Sequence, residues 1–516
     1  MIHRKLWFLL LSTMLLAALF RSLGLDWQSL WYDEGTSLDL AISPPDQAFL
    51  AHFLDFLRTH PASERFQPLY FVILHGWTSV FGTSDIALRA LSVIFATLYV
   101  LVMTLLTKRA LGMRAMLWVA LFSATSAYAI YYGQEVRPYA LAMMLSSIVL
   151  LALYRVLIGP KPATTFCVGF AILCLLLLAT NVFAAVFLAA LALSHLALRR
   201  GFPAWLKLWL PSGLLCCVAL VLWLKCLGSG AEAAVPVARN IIENLVFVPY
   251  GLLVGQTYGP PLQALRGNAG FSSLVAYIPH VVLLFVIMAA WLFTFFQAHP
   301  WRLREIEARD QRHANTHAFT RLILMATALG YLGGAFGGVV IGLNWLPRHA
   351  FYLHPLLTLM LALPLASITT SSSKRRFAMM TAYSIVALNL FSTAKYFCDP
   401  LHARDDYRGA AEVLMQPENR TATALLLWGN PTLLDHYGAN AVMDGRDILG
   451  DDIGMQISQR SNNATQVIAV INREFYWNKG LQLDERLAPQ YTFERAIQLS
   501  NMGLYVMRRK ADAPDR

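Results

Sequence analysis

Long apolar runs alternate with short polar connections over residues 1–395 of this chain. A helix that crosses the hydrocarbon core of a bilayer needs about 17–25 consecutive apolar residues. The pattern therefore predicts a polytopic α-helical membrane region with about eleven transmembrane helices. The predicted spans cover residues 6–25, 86–107, 115–132, 139–158, 164–180, 182–198, 205–227, 271–296, 319–342, 351–368 and 377–395.

A further apolar piece, residues 69–81, is short for a span, and whether it crosses decides the side of every later connection. If it does not cross, the basic clusters near residues 4–5, 108–114, 155–161, 199–207, 302–312 and 374–376 all lie on one side. Short loops rich in Lys and Arg stay in the cytoplasm. We therefore expect a cytoplasmic amino terminus, a first outer loop at 26–85, and residues 69–81 sunk in the outer leaflet.

The first outer loop contains a predicted amphipathic helix that begins at Pro44-Pro45-Asp46. Apolar residues recur at helical spacing along one face of this helix, and polar residues occupy the opposite face. Such a helix lies at the membrane interface or packs on neighbouring helices, and the sequence leaves both readings open. The predicted stripe consists of Phe49, Leu50, Phe53, Leu54 and Leu57.

The tail at residues 396–516 differs from the rest of the chain because charges are abundant and the apolar runs are short. Turn residues occur at Gly429-Asn430-Pro431, and short apolar runs at 424–428 and 467–471 are typical of strands. These features predict a small α/β domain on the extracytoplasmic side. The predicted boundaries are 1–395 for the membrane domain and 396–516 for the soluble domain.

Composition agrees with a membrane protein: of 516 residues, 57% are hydrophobic and 14% are charged, and the mean hydropathy is +0.51. The formal net charge of +11 does not indicate nucleic-acid binding, because the basic residues lie at the ends of apolar runs, where they orient helices. Most of the six cysteines lie inside apolar runs, so no disulfide framework is indicated. The predicted location is the plasma (inner) membrane, in contact with its lipids.

Two adjacent carboxylates, Asp33 and Glu34, follow Trp31-Tyr32 directly after the first apolar run. Ionisable groups at a bilayer are costly and mark functional sites by default. A carboxylate beside a hydroxyl group can remove its proton. The alternative is a pair of solvated loop charges.

The expected outer face also receives Glu135 and Arg137, together with Arg348 at a later span end. Guanidinium groups bind phosphate oxygens in a fixed fork. Carboxylates and arginines at one membrane level suit transfer onto an alcohol from a phosphate leaving group. The alternatives are that Glu135 and Arg137 pair with each other, and that Arg348 extends to the interface.

Four motifs follow one another along the chain: Trp31-Tyr32-Asp33-Glu34, Gln67-Pro68-Leu69-Tyr70, Gln134-Glu135-Val136-Arg137-Pro138-Tyr139 and Arg348-His349-Ala350-Phe351. Their order resembles the GT-C membrane glycosyltransferases, in particular the protein O-mannosyltransferases and the aminoarabinose transferase of lipid A. The resemblance covers about residues 1–395 and only loosely the tail. Gln67 departs from it, because the aminoarabinose transferase has a lysine there.

The resemblance implies a polyprenyl-phosphate-linked sugar donor, a glycan, lipid or protein acceptor, and inversion at the anomeric carbon. It implies that Asp33 is the general base and Glu34 the second catalytic acidic position. The implied substrate-binding residues are Glu135, Arg137, Tyr139, Arg348, Gln67 and Tyr352. For the two tyrosines, a place in the interfacial aromatic belt is the alternative.

Two rival functions remain open at this stage. A flippase or transporter would also have many spans, but such proteins tend to place charges near the bilayer midplane and to show internal repeats. A glycan polymerase or ligase would have a similar outline with arginine-rich outer loops. We expect no obligatory cofactor; the alternative is a divalent cation held by Asp33, Glu34 and Glu135.

Overall fold

The computed structural model describes residues 2–43, 47–59, 67–159, 162–198, 202–227, 241–261, 275–298, 311–341, 345–367, 372–448, 453–473 and 487–511. The chain forms two compact units. The first comprises Met1–Leu23, Leu40–Tyr258 and His280–Thr393. The second comprises Gly24–Asp39, Gly259–Pro279 and Ala394–Arg516, so a piece of the predicted first outer loop belongs to it.

Helices make up nearly all of the described first unit, and shorter helices flank a sheet in the second. In chain order the described α-helices are α1 (Ile2–Ser22), α2 (Tyr32–Ala41), α3 (Phe49–Thr59), α4 (Pro68–Phe81), α5 (Asp85–Ala110), α6 (Met113–Thr125), α7 (Ala127–Gly133), α8 (Tyr139–Ile158), α9 (Thr164–Thr180), α10 (Ala184–Ala197), α11 (Phe202–Leu227), α12 (Ile241–Val254), α13 (Ile278–Ala298), α14 (Gln311–Ile341), α15 (Leu353–Ser367), α16 (Ser372–Cys398), α17 (Tyr407–Met415), α18 (Pro431–His436) and α19 (Ile453–Arg460). The strands are β1 (Thr423–Trp428), β2 (Met443–Asp444), β3 (Gln466–Asn472), β4 (Tyr491–Leu499) and β5 (Met502–Arg509).

The apolar runs of the membrane region fold as helices, and a helix overlaps each predicted span. Among the described residues, six helices are long and apolar enough to cross a membrane, or seven if one bent pair counts as a single span. Several other apolar helices are shorter. The chain is therefore a multi-pass membrane protein, while the count of about eleven spans stays a prediction.

One predicted span is broken. Residues 115–132 form not one helix but two, α6 and α7, which are bent by 52° at Ser126. Two connections between predicted spans also contain helices: the carboxylate motif begins α2, and the connection between the spans at 205–227 and 271–296 contains α12.

The two short elements of the first outer loop are both helical. Helix α3 buries Phe53, Phe56 and Leu57, whereas Leu50 of the predicted stripe is 64% exposed. The Pro44-Pro45-Asp46 start lies outside the described residues. Helix α4 has 14 residues, so at 1.5 Å per residue it is about 21 Å long, less than the roughly 30 Å of a hydrocarbon core.

Close packing in the first unit depends on glycine where α14 meets the segment before α15. A Cβ atom on Gly334 would lie 2.4 Å from the Trp345 ring and 2.6 Å from the Tyr352 hydroxyl. A side chain at this position would therefore collide with two fully buried aromatic residues.

The second unit is built on a five-stranded mixed sheet with strand order β2-β1-β3-β5-β4. Strands β1, β2 and β3 are parallel to one another, and β3, β5 and β4 are antiparallel. The predicted strands at 424–428 and 467–471 are confirmed as β1 and β3. The core beneath the sheet includes Leu425, Leu427, Ile457, Val467 and Ala469.

Candidate active site

The carboxylate motif lies in the second unit, at the first turn of α2. The Glu34 carboxylate folds back and accepts a hydrogen bond from the Trp31 backbone N–H at 3.2 Å. Negative charge at a helix amino terminus is stabilised by the helix dipole and by backbone donors that have no partner within the helix. The next residue is Gly35, and a Cβ atom there would lie 2.7 Å from side-chain atoms of Asn430 and Leu433. A larger residue at this position would therefore collide with both.

Glu34 is fully buried and forms an ion pair with Arg404, whose Nη1 lies 2.8 Å from Glu34 Oε2. The Arg404 side chain is 3% exposed. Breaking a buried pair leaves one charge without its counter-ion and is strongly destabilising. Glu34 therefore anchors α2 within the second unit.

Asp33, next to Glu34, is only half-buried. Arg473, which follows β3, contacts the neighbouring Trp31, with its guanidinium carbon 5.1 Å from the ring centroid. Burial by itself would lower the pKa of Arg473, but the carboxylates of Asp405 and Asp33 raise that pKa above its ordinary value. The two adjacent acidic residues thus sit in different environments, each with an arginine from the carboxyl-terminal part of the chain.

Sequence reasoning missed both arginines. Arg404 belongs to the charged run Arg404-Asp405-Asp406 soon after the last apolar run, which is a detectable signal. Arg473 carries no comparable signal, because it is one of many basic residues in the tail.

The other six predicted site residues lie in the first unit. Five of them are buried, and Arg348 is half-buried. Burial of charged groups within an apolar helical unit favours a functional role over a solvated one. The buried five are Gln67, Glu135, Arg137, Tyr139 and Tyr352, with exposures of 7%, 1%, 2%, 2% and 0%.

Within this unit α7, the helix that leads into the Glu135–Arg137 segment, contacts the turn that carries Arg348. The Tyr128 hydroxyl of α7 donates to the Pro347 carbonyl at 2.9 Å, and Pro347 begins the 3₁₀ turn Pro347–Ala350. The rings of Tyr132 and Tyr139, on either side of the segment, meet edge to face at 5.0 Å.

Gln67 and Tyr352 occupy positions at element ends. Gln67 immediately precedes α4. Tyr352 immediately precedes α15, and its hydroxyl donates to the Gly330 carbonyl at 3.2 Å. The substrate-binding roles of both residues stay predictions.

In the described part of the chain, no group of three or more His, Cys, Asp or Glu side chains is arranged to hold a metal ion.

The fold resembles solved glycosyltransferase structures. ArnT from Cupriavidus metallidurans bound to undecaprenyl phosphate aligns over 98% of this chain and 99% of its own, at 12% identity and a TM-score of 0.49. The oligosaccharyltransferase of Archaeoglobus fulgidus in complex with Zn and sulfate aligns over 96% of this chain and 72% of its own, at 12% identity and a TM-score of 0.50. Arabinofuranosyltransferase AftD from Mycobacteria aligns over 99% of this chain and 40% of its own, at 16% identity and a TM-score of 0.44.

The sequence matches no protein-family model and no curated protein. The likeness to the oligosaccharyltransferase carries the fold assignment, and it confirms the predicted fold class of a helical membrane protein with a small carboxyl-terminal sheet. The chain is thus a multi-pass membrane protein whose fold resembles that of the archaeal oligosaccharyltransferase.

Proposed function

We propose that this protein is a membrane glycosyltransferase that moves a sugar from a polyprenyl-phosphate carrier to a hydroxyl group of a glycan, lipid or protein acceptor. The observation that carries the proposal is the contrast within the carboxylate motif. Glu34 is fully buried and ion-paired, whereas Asp33 is half-buried. Neighbouring carboxylates in different environments take different roles.

In the proposed reaction, Asp33 is the general base and accepts the proton of the acceptor hydroxyl. The hydroxyl oxygen attacks the anomeric carbon, and the bond from that carbon to the phosphate oxygen breaks with its electron pair going to the phosphate. Attack from the face opposite the leaving group inverts the anomeric configuration. Glu34 holds the turn that carries Asp33.

Arg137 and Arg348 are the proposed partners of the leaving phosphate, because guanidinium groups neutralise developing phosphate charge. Arg137 is buried and Arg348 is half-buried, which supports this role, since charge interactions are stronger away from water. Glu135, Gln67, Tyr139 and Tyr352 are the proposed substrate contacts. A lipid-borne donor is also supported by the sequence, in which no Gly-rich nucleotide-binding motif follows a strand.

The reaction is proposed to occur on the outer face of the plasma (inner) membrane. The distribution of Lys and Arg among the short connections supports this orientation. Nucleotide sugars are cytoplasmic, so an enzyme on the outer face needs a donor that the membrane carries.

The first prediction concerns Asp33→Asn in purified protein supplied with a radiolabelled polyprenyl-phosphate sugar and a mixed envelope extract as acceptor. Loss of the general base should slow transfer at least about 100-fold, because proton transfer contributes roughly that factor or more. The measured quantity is free polyprenyl phosphate released with acceptor present. Asp26→Asn, an exposed change in the same segment, is the matched control.

Near-normal release by Asp33→Asn would remove Asp33 from the mechanism. If the wild-type protein moves the lipid-linked sugar across vesicles without releasing lipid phosphate, it is a flippase; if it joins repeat units to one another, it is a polymerase. Repeating the assay with a chelator tests the cation: activity lost there and restored by magnesium or manganese would show that a metal is required.

A further inference from the structure

The parallel part of the sheet in the second unit has a topological switch point. Strand β1 is followed in sequence by β2 on one side of it, and β3 then lies on its other side. In open α/β sheets, ligand-binding residues gather outside the carboxyl ends of the strands at such a point. Here those ends carry Asn430 after β1, and Asn472 and Arg473 at the end of β3.

The carboxylate motif lies against these strand ends. Asn430 Nδ2 donates to Asp39 Oδ2 at 3.1 Å, and the Arg473 guanidinium stacks on Trp31. The place where an α/β domain commonly binds its ligand is therefore next to the predicted general base of the same unit.

The backbone of Arg473 is left-handed, with φ +54°. Four described non-glycine residues have positive φ; the other three are asparagines, which tolerate this region. For an arginine the conformation costs roughly 1–2 kcal/mol. A residue held in such a conformation next to a candidate site suggests that its side-chain direction is what matters.

Contacts on two sides fix the Arg473 side chain, which is 24% exposed. Its Nε donates to Asp405 Oδ1 at 3.2 Å, and the Asp405 side chain is 1% exposed. Asn472 Nδ2 donates to the other Asp405 oxygen at 3.1 Å, so Asp405 itself is held. The Arg473 guanidinium therefore lies between the buried Asp405 carboxylate and the ring of Trp31. Trp31 is two residues before Asp33 in the sequence.

We propose that Arg473 is a positioning residue for Asp33: its fixed positive charge keeps the Asp33 carboxylate ionised and oriented, and the carboxyl-terminal sheet is thereby part of the active site. This inference rests on the proposed transferase function. Through Arg473, the carboxyl-terminal domain would take a direct part in catalysis.

Other charges lie in this cluster, and the test must separate their effects from that of Arg473. Glu34 is already neutralised by Arg404. Burial, and then the Asp405 carboxylate, raise the pKa of Tyr407 well above its ordinary value, so that group stays neutral. In the described part of the chain, the other charged or titratable groups of the cluster include Asp405, Asp39, Tyr32 and Arg446.

The test is the pH dependence of transfer in the full-length protein, for wild type, Arg473→Gln, Arg473→Lys and the control Arg495→Gln. Arg495 is 46% exposed and pairs with Glu418. Without the positive charge Asp33 protonates more readily, so the acid limb of the kcat profile should move up by about one pH unit in Arg473→Gln. Arg473→Lys should keep the wild-type limb, and KM should change little in either variant.

Because Arg473→Gln leaves the buried Asp405 carboxylate without its guanidinium partner, the folded fraction is measured at each pH and kcat is expressed per folded protein. Arg473→Met is a second neutral variant if Arg473→Gln does not fold. An unchanged limb in the neutral variant, or a shift of equal size in Arg495→Gln, overturns the inference. Absence of transfer by the wild-type protein would overturn the proposed function instead.

Discussion

At the scale of single residues, the ion pair between Glu34 and Arg404 decides how the carboxylate motif is held. Both side chains are almost fully buried. Glu34→Gln would leave the Arg404 charge without its counter-ion, so we expect the second unit to lose about 3–5 kcal/mol of unfolding free energy. The measurement is the rate at which a protease cleaves the carboxyl-terminal segment of the detergent-solubilised protein across a denaturant series.

Glu418→Gln is the matched control, because Glu418 and its partner Arg495 are both largely exposed and such pairs contribute little. The double variant Glu34→Leu, Arg404→Met should be less destabilised than the sum of its single changes, since it removes both charges together. Additive losses would mean that the two residues do not interact.

Asp33 and Glu34 could be selected as candidate site residues from the sequence, because two acidic residues beside a membrane helix are unusual. Their arginine partners could not be predicted. Contacts between residues 34 and 404 leave no periodic pattern in one sequence, and neither does the approach of Trp31 to Arg473. The structure also places these two adjacent carboxylates in different environments, because Glu34 is fully buried and Asp33 is half-buried.

At the scale of elements, the break between α6 and α7 is held by polar groups from two distant helices. Arg21 donates to the Ser123 and Ala124 carbonyls at 2.8 and 3.1 Å, and Asn389 Oδ1 accepts from the Ala127 N–H at 2.9 Å. The last carbonyls and first N–H groups of a helix have no partner within it. The backbone groups that the two helices leave without partners at the break therefore form hydrogen bonds with the buried side chains of Arg21 and Asn389.

Arg21→Met should loosen this break. It removes two charge-assisted hydrogen bonds in a buried setting, so we expect a loss of about 2–5 kcal/mol and faster amide exchange over residues 123–133. Hydrogen exchange followed by mass spectrometry in detergent gives the measurement. Arg375→Met, an exposed change at a helix start, serves as the control; equal exchange in the two variants would exclude the capping role.

Helix positions were predictable because the length and polarity of an apolar run are local properties of the sequence. The bend at Ser126 was not predictable, since the run from 115 to 132 is apolar throughout and the groups that stabilise the break come from α1 and α16. Helix α12 was missed for another reason. Its 14 residues are too few to cross a bilayer, so the length of its apolar run does not predict it.

At the scale of the whole molecule, the orientation in the membrane is the property that one experiment settles. In an otherwise cysteine-free protein, native Cys398, which is exposed, should react with an impermeant maleimide in sealed cells. A cysteine introduced as Met113→Cys should react only after the cells are opened, because residues 108–114 carry one of the basic clusters. Reaction of the Met113→Cys variant in sealed cells would mean that α4 crosses the membrane.

The membership of Gly24–Asp39 in the second unit has a consequence for biosynthesis. Glu34 pairs with Arg404, and translation adds about 5–20 residues per second, so the carboxylate is made roughly 20–75 s before the guanidinium that neutralises it. The first helix must be inserted and every later one made before the motif can reach its final packing. If translation stopped after α16, the membrane helices of the chain would be complete, but its acid motif would lack Arg404 and could not reach its final packing.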